Sequence, residues 1–328
     1  MNRVSSIDIT RGLVILIMII EHIIHLSPFI PVITSPIQNI ENINLFFLII
    51  RTLSHLCAPG FIILCGMSVY FRQSYYDIKT FRKHLFKRGF ILIFLELTII
   101  TFGWSFSIIP YKIFLQVIFA IGCGLILLSF LVGRLTPKQI LLFSLILILL
   151  DATLNIYGNI VRQFFPSFLF AILHEKTIFW LFNEKIMIRT TFPILSWCGV
   201  IGVGFFLGQF YSITKEINTH KITVISCTLL FLGITLRFFD IPFFNQNPLE
   251  SSSNPLIAII LFFDLSKYPP TILFLCIYIS AFLLILNTIQ KYKFKPKLLE
   301  FLGKNSLKIY IIHLYIITAF YKILKMFI

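Results

Sequence analysis

Runs of Ile, Leu and Phe of helical length recur from one end of this 328-residue chain to the other. About 20 apolar residues in an α-helix cross the ~30 Å hydrocarbon core of a bilayer. Hydrophobic residues make up 58% of the chain and charged residues only 12%, with a mean hydropathy of +0.94. That balance excludes a soluble globule. In hydrocarbon every backbone N–H and C=O must find a partner inside the protein, so only helices and closed barrels cross it. The strict apolar/polar alternation of a barrel strand is absent. The fold class is therefore all-α: a polytopic transmembrane helical bundle, residues 1–328 forming a single integral-membrane domain. No internal repeat, low-complexity tract or linker divides it.

The formal net charge of +15 would suit nucleic acid if it were spread over one face, but it is not. Basic residues gather in alternate connections, Arg72 to Arg88, Arg134 to Lys138, Lys215 to Lys221 and Lys291 to Lys304. This is the positive-inside pattern, and it predicts a cytoplasmic N-terminus carrying Arg3. About nine spans follow by the ~20-residue criterion: 9–26, 44–71, 89–109, 113–132, 139–156, 190–212, 221–239, 268–289 and 305–325. Residues 157–189 and 240–267 are expected outside, each with an apolar piece that would be re-entrant or a further short span, giving up to about eleven. The first span has no small-residue cleavage site after it and is read as retained. Cys57, Cys65, Cys123, Cys198, Cys227 and Cys276 stand singly in apolar runs, without a CxxC pair, and read as inert thiols.

Within this frame the ionisable residues inside the spans are the functional candidates, because each is costly there. Arg51, His55 and Pro59 stand four residues apart, a spacing that stacks side chains on one helical face. In the first span Arg11, Met18, His22 and His25 share a narrow sector, with Asp8 beside Arg11 and Glu21 beside His22. Arg11 and His22 lie about 16 Å apart at ~1.5 Å per residue, so a polar stripe joins the two membrane faces. Glu96 needs a partner, for which Arg51, a histidine or Gln116 is available; a structural interhelical hydrogen bond is its bland reading. Arg82, Lys83, Lys87 and Arg88 suit phosphates as well as anionic lipid. Asp151 and Asn155 fall near the outer end of their span, and Arg162, His174 and Glu175 on the external segment after it. Gly199, Gly202, Gly204 and Gly208 permit close helix packing. Pro269 and Pro270 are expected in the first turn of their span, with Lys267 snorkelling beside them. Asn305 and Ser306 are candidate N-caps of the last span, which carries Tyr310 and His313.

The stretches SIDITRGLVILIMIIEH, HLCAPGFIILCG, KRGFILIFLELTIITFGW, FLQVIFAIG, FPILSWCGVIGVGFFLG, LSKYPPTILFL and LGKNSLKIYIIH, in this order, resemble the heparan-α-glucosaminide N-acetyltransferase-like proteins of the transmembrane acyltransferase superfamily, particularly compact bacterial members. Glu21 stands where those members more often carry aspartate. The external segment is the least similar part. The resemblance implies a multi-pass enzyme that moves acetyl from cytosolic acetyl-CoA to a sugar amine or hydroxyl on the far side of the membrane. It also implies a bacterial cytoplasmic (inner) membrane location and a homodimer. An external-loop histidine is catalytic in the lysosomal relative, and His174 is its nearest match. On this reading His174 is the general base, Arg51 or His55 stabilises the oxyanion, and His22 shares the site. Asp8, Arg11 and Arg88 organise the cytoplasmic end, with Arg82 and Lys87 on the phosphates. Lipid, the CoA thioester and a glycan or amino-sugar acceptor are then the partners, and no metal or nucleic acid is needed.

Competing readings remain at this level. A proton-coupled transporter or flippase would use Glu96 and the histidines as a relay, though the inverted repeats and paired broken helices that favour one are missing. His22, His25 and His55 have ligand types that suit zinc, without a spacing that singles it out. A non-catalytic scaffold is the third.

Overall fold

The apolar runs fold into helices over the ranges that hydropathy requires. The protein, seen here in a computed structural model, is described over residues 4–27, 44–108, 111–211, 219–239 and 254–327. Arg3, Lys215 and the first half of the second external stretch, 240–253, lie outside the described residues. The chain begins with α1 (Ser5–Leu26), α2 (Leu45–Ser54), α3 (Cys57–Gln73) and α4 (Ile78–Leu95), which a π turn (Glu96–Ile100) links to α5 (Thr101–Ser105). Strand β1 (Tyr111–Leu115) precedes α6 (Val117–Leu131), α7 (Pro137–Val161) and α8 (Ser167–Leu173). Strands β2 (Thr177–Leu181) and β3 (Ile186–Thr190) come next, then α9 (Ile194–Leu207) and α10 (Thr219–Phe239). The chain closes with α11 (Pro255–Phe262), α12 (Ile272–Lys291), α13 (Lys297–Lys304) and α14 (Ser306–Leu324).

Among the described residues five stretches are long and apolar enough to cross a membrane: Leu45–Gln73, Pro137–Phe164, Thr219–Phe239, Ile272–Lys291 and Ser306–Leu324. Two shorter apolar helices, Val117–Leu131 and Ile194–Phe210, fall on two further expected spans. The remaining two, 9–26 and 89–109, fall on α1 and on the composite α4–α5. Leu142, Ile146 and Leu149 of α7 and Phe231 and Phe238 of α10 are all at least half bare. Apolar faces of this extent are at home against lipid chains, not water. The protein is a polytopic helical integral membrane protein.

The backbone contacts form two units. The first holds residues 1–60, 219–267 and 271–328, and the second 61–218 and 268–270. In the first, α1 packs along α13 and against α2, α12 and α14, and α10 packs along α12. The α1–α13 crossing is a backbone contact, because a methyl on Gly12 would strike the Leu299 carbonyl and one on Gly303 the Asp8 carbonyl. In the second unit α7 packs on α9 and α4 on α6. The glycines of α9 serve packing as expected, for a methyl at Gly199 would come within 2.7 Å of the Ser144 carbonyl of α7.

Several local expectations are corrected. The helix carrying Arg51, His55 and Pro59 is broken at His55–Leu56, between α2 and α3. Proline has no N–H to give the carbonyl four residues back, and its ring crowds that group. The carbonyl concerned is that of His55. The turn tightens accordingly, with His55 and Leu56 donating to Thr52 and Leu53, so the three side chains do not form one helical stripe. Pro269 and Pro270 precede α12 instead of starting it; Thr271 is the N-cap and accepts from the Phe274 amide at 3.2 Å. Asn305 occupies the N-cap position of α14, but its side chain donates back to the Phe301 carbonyl of α13 at 3.0 Å.

The first external segment carries strands as well as the short helix α8. Its apolar piece Thr177–Leu181 is β2, paired antiparallel with β3, which pairs in parallel with β1. Phe182, Asn183 and Glu184 all take left-handed φ in the connecting turn, and only that local conformation lets the chain double back. Glu96 takes the interhelical hydrogen bond that was its structural reading. Its Oε2 accepts from the Phe119 amide of α6 at 3.1 Å, so its partner is the exposed backbone of a helix start and not a cation.

Candidate functional site

Helix α7 starts at a Thr136–Gln139 capping box with Pro137 in its first turn. It buries Ile140, Ser144, Ile148 and Asp151–Ala152 along one face, the four-residue rhythm of a helix packed on a neighbour. Asp151 is 1% exposed. A carboxylate so placed needs donors on both oxygens, and it has them. Oδ1 lies 2.7 Å from His174 Nδ1, and Oδ2 accepts from Ser196 Oγ of α9.

His174 follows α8, its amide donating to the Phe170 carbonyl at 2.8 Å. The small sheet fixes the chain just beyond. The Thr190 hydroxyl of β3 donates to the Glu175 carbonyl at 2.8 Å and accepts from the Thr177 amide at 3.0 Å. Since a carboxylate only accepts, the proton between Asp151 and His174 sits on Nδ1, and a neutral ring keeps its lone pair at Nε2. Gly158 of α7 lies beside that edge of the buried ring, where a methyl would stand 3.9 Å from Nε2, in ordinary contact. Ser196 gives its proton to Asp151 and not to His174, so no serine nucleophile is built. Such a pair has the geometry that orients an imidazole to act as a base.

The first unit brings together three of the other candidates. His22 of α1 is half-buried, with Nδ1 2.8 Å from Nε2 of His313 on α14 and the rings stacked at 5.1 Å. Glu21 Oε2 stands 3.6 Å from His22 Nε2. His55, at the α2–α3 break, is buried with Nδ1 3.0 Å from the Tyr278 hydroxyl of α12. Arg51 pairs with Asp264 at 3.2 Å. The Lys267 ammonium lies within electrostatic reach of both His22 and His55. His25, by contrast, is exposed on α1. Near the start of α1, Arg11 Nη1 bonds Asp8 Oδ1 at 2.8 Å, an i,i+3 pair beside the crossing with α13.

The basic connection belongs to the second unit. Arg82 Nε donates to the Ser129 carbonyl at 2.8 Å, capping the last turn of α6, while Lys87 and Arg88 are exposed on α4. Between them His84 stacks on Tyr76, ring centroids 6.0 Å apart. Partial desolvation, then the charges of Arg88, Arg72 and Lys87, hold its imidazole below the usual histidine range.

His174 thus falls in the second unit, and His22, Arg51 and His55 in the first. Sequence reasoning gave no role to Asp151, Ser196, Asp264, Tyr278 or His313. The legible signal for Asp151 was a carboxylate in phase with a buried α7 face. The others are partners from more than 40 residues away, which spacing does not reveal.

No curated protein matches the chain. Residues 3–239 match the family model described as heparan-alpha-glucosaminide N-acetyltransferase, catalytic, and with that match over more than half its length the chain belongs to that family.

Proposed function

We propose that this membrane acetyltransferase-family protein takes acetyl from cytosolic acetyl-CoA and passes it to a sugar amine or hydroxyl on the periplasmic side of a bacterial cytoplasmic membrane, its N-terminus in the cytoplasm. The observation that carries this reading is the buried Asp151–His174 pair, 2.7 Å long, with Nε2 left as a base. His174 Nε2 takes the acceptor's proton as its nitrogen or oxygen attacks the thioester carbonyl carbon. The tetrahedral intermediate then expels CoA thiolate as the C–S bond breaks, and the imidazolium returns the proton to sulfur. Asp151 holds the ring and stabilises its charge.

Acetyl-CoA enters as co-substrate. Its phosphates suit Lys87 and Arg88, with Arg82, whose Nη groups extend beyond the Ser129 contact. Asp8 and Arg11 are proposed to order the cytoplasmic end, and His22, Arg51 and His55 to contribute to catalysis. A homodimer is part of the same proposal.

Turnover of radiolabelled acetyl-CoA by protein in lipid nanodiscs, with glucosamine as acceptor, tests this. H174A is expected to lower kcat on the order of 10²–10⁴-fold while CoA binding persists. D151N is expected to fall less, since the base remains but loses its anionic support. Unchanged kcat in H174A would sink the assignment, and H55A, R51A and H22A in the same assay read the first unit's share.

A further inference from the structure

His22 and His55 of the first unit are each held at Nδ1 by a partner whose own hydrogen bond decides where the proton sits. His313 Nδ1 lies 3.0 Å from the Ile309 carbonyl. A carbonyl only accepts, so that nitrogen carries a proton, and a neutral His313 offers Nε2 as an acceptor. The proton in the 2.8 Å contact between the rings therefore belongs to His22 Nδ1. His22 Nε2 keeps its lone pair, with Glu21 Oε2 3.6 Å away, placed to stabilise a proton arriving there.

The same logic governs His55. Tyr278 has one hydroxyl proton and gives it to the Phe263 carbonyl at 2.8 Å. Its oxygen is then an acceptor for His55 Nδ1–H, and His55 too is left with a lone pair at Nε2. Neither ring is free to turn. His55 meets Phe274 and Tyr278 edge-on, centroids 5.6 and 5.1 Å apart, and His22 is stacked on His313.

We infer that His313 and Tyr278 are positioning residues that lock His22 and His55 in the Nδ1–H form with Nε2 presented as base, so that the segment after residue 239 completes the acid–base machinery of the first unit. Both residues lie beyond the region matched by the family, 3–239, as do Asp264, which pairs with Arg51, and Lys267. The family's matched region holds the histidines, and the C-terminal helices decide their tautomers. The functional consequence rests on the catalytic roles proposed above for His22 and His55; the tautomers themselves do not.

Nitrogen-15 NMR of histidine-labelled protein in nanodiscs tests this directly, with only seven histidines to resolve and H22Q and H55Q to assign them. The expected spectrum has His22 and His55 neutral and protonated at Nδ1, with a scalar coupling across the His22–His313 hydrogen bond. H313A removes the coupling and lets His22 tautomerise. H313Q, whose amide oxygen accepts, restores the Nδ1–H form, and Y278F releases His55, since phenylalanine cannot accept. In turnover, H313A lowers kcat roughly tenfold or more with KM little changed, and H313Q regains part of it. A wild-type His22 protonated at Nε2, or an H313A spectrum identical to wild type, overturns the inference. Absence of turnover in a wild type with the stated tautomers overturns the proposed activity while supporting the positioning.

Discussion

A carboxylate has only acceptors to offer, and at Asp151 both oxygens are engaged, one by His174 and one by Ser196. The two donors have unequal consequences. S196A leaves Oδ2 buried without its donor, a loss of about 1–3 kcal/mol, visible as a lower Tm in detergent. The His174 contact survives, so kcat is expected to fall less than tenfold. A loss as deep as that of H174A would give Ser196 a chemical part. His84 supplies a second residue-scale reading. Desolvation and the cations Arg88, Arg72 and Lys87 depress its protonation, so a polyanion that neutralises those cations moves its titration upward. A chemical-shift titration of His84 with and without CoA checks this, and an unmoved midpoint places the phosphates elsewhere. At this scale His22, Arg51 and His55 stood out as candidates because ionisable groups are conspicuous in apolar runs, whereas His174 came forward only through the family resemblance. Their partners were not legible, because a hydrogen bond between residues 291 apart, as in His22–His313, leaves no trace in local spacing.

Elements were legible wherever a rule is local. Pro59 announced a disturbance, and the helix gives way at His55, whose carbonyl the proline cannot serve. The Thr136–Gln139 capping box that starts α7 is a local signal too, although the span was expected to begin at 139. The sheet was hidden for the opposite reason: Thr177–Leu181 is as apolar as a span, and its strand state depends on a partner, β3, after a turn of three left-handed residues. For Glu96 an interhelical hydrogen bond was among the readings, but its donor was hidden, because a helix N-terminus presents donors as a cation does, without a basic side chain to show it. With Oε2 on the Phe119 amide, E96A is expected to cost about 1–2 kcal/mol, as loss of a cap does. E96Q, whose amide oxygen still accepts, should lose less. Thermal unfolding of the two variants separates them, and equal losses would mean that charge, not capping, matters at this position.

For the whole molecule, composition and charge pattern decided the class, because a bilayer admits so few ways of satisfying a backbone. The division of contacts into two units was not legible, since the first is assembled from three separate stretches of chain. The +15 charge bears on the donor. CoA binding is expected to weaken steadily with salt. The K87A/R88A double variant should weaken it roughly five- to thirtyfold, from about 0.5–1 kcal/mol per exposed ion pair. Calorimetry in nanodiscs reads both, and salt-independent binding would dismiss the basic face as the phosphate dock.

The crossing of α1 with α13 ties together helices that lie far apart along the chain. The glycine seam and the histidine of α1 are matched by α13 and α14, which are made long after it. During biosynthesis α1 must therefore wait in the bilayer with a carboxylate, a guanidinium and an imidazole poorly sheltered. Chains stopped before Ser306 would lack what His22 leans on, and a cell's membrane proteases would have a ready mark by which to recognise them.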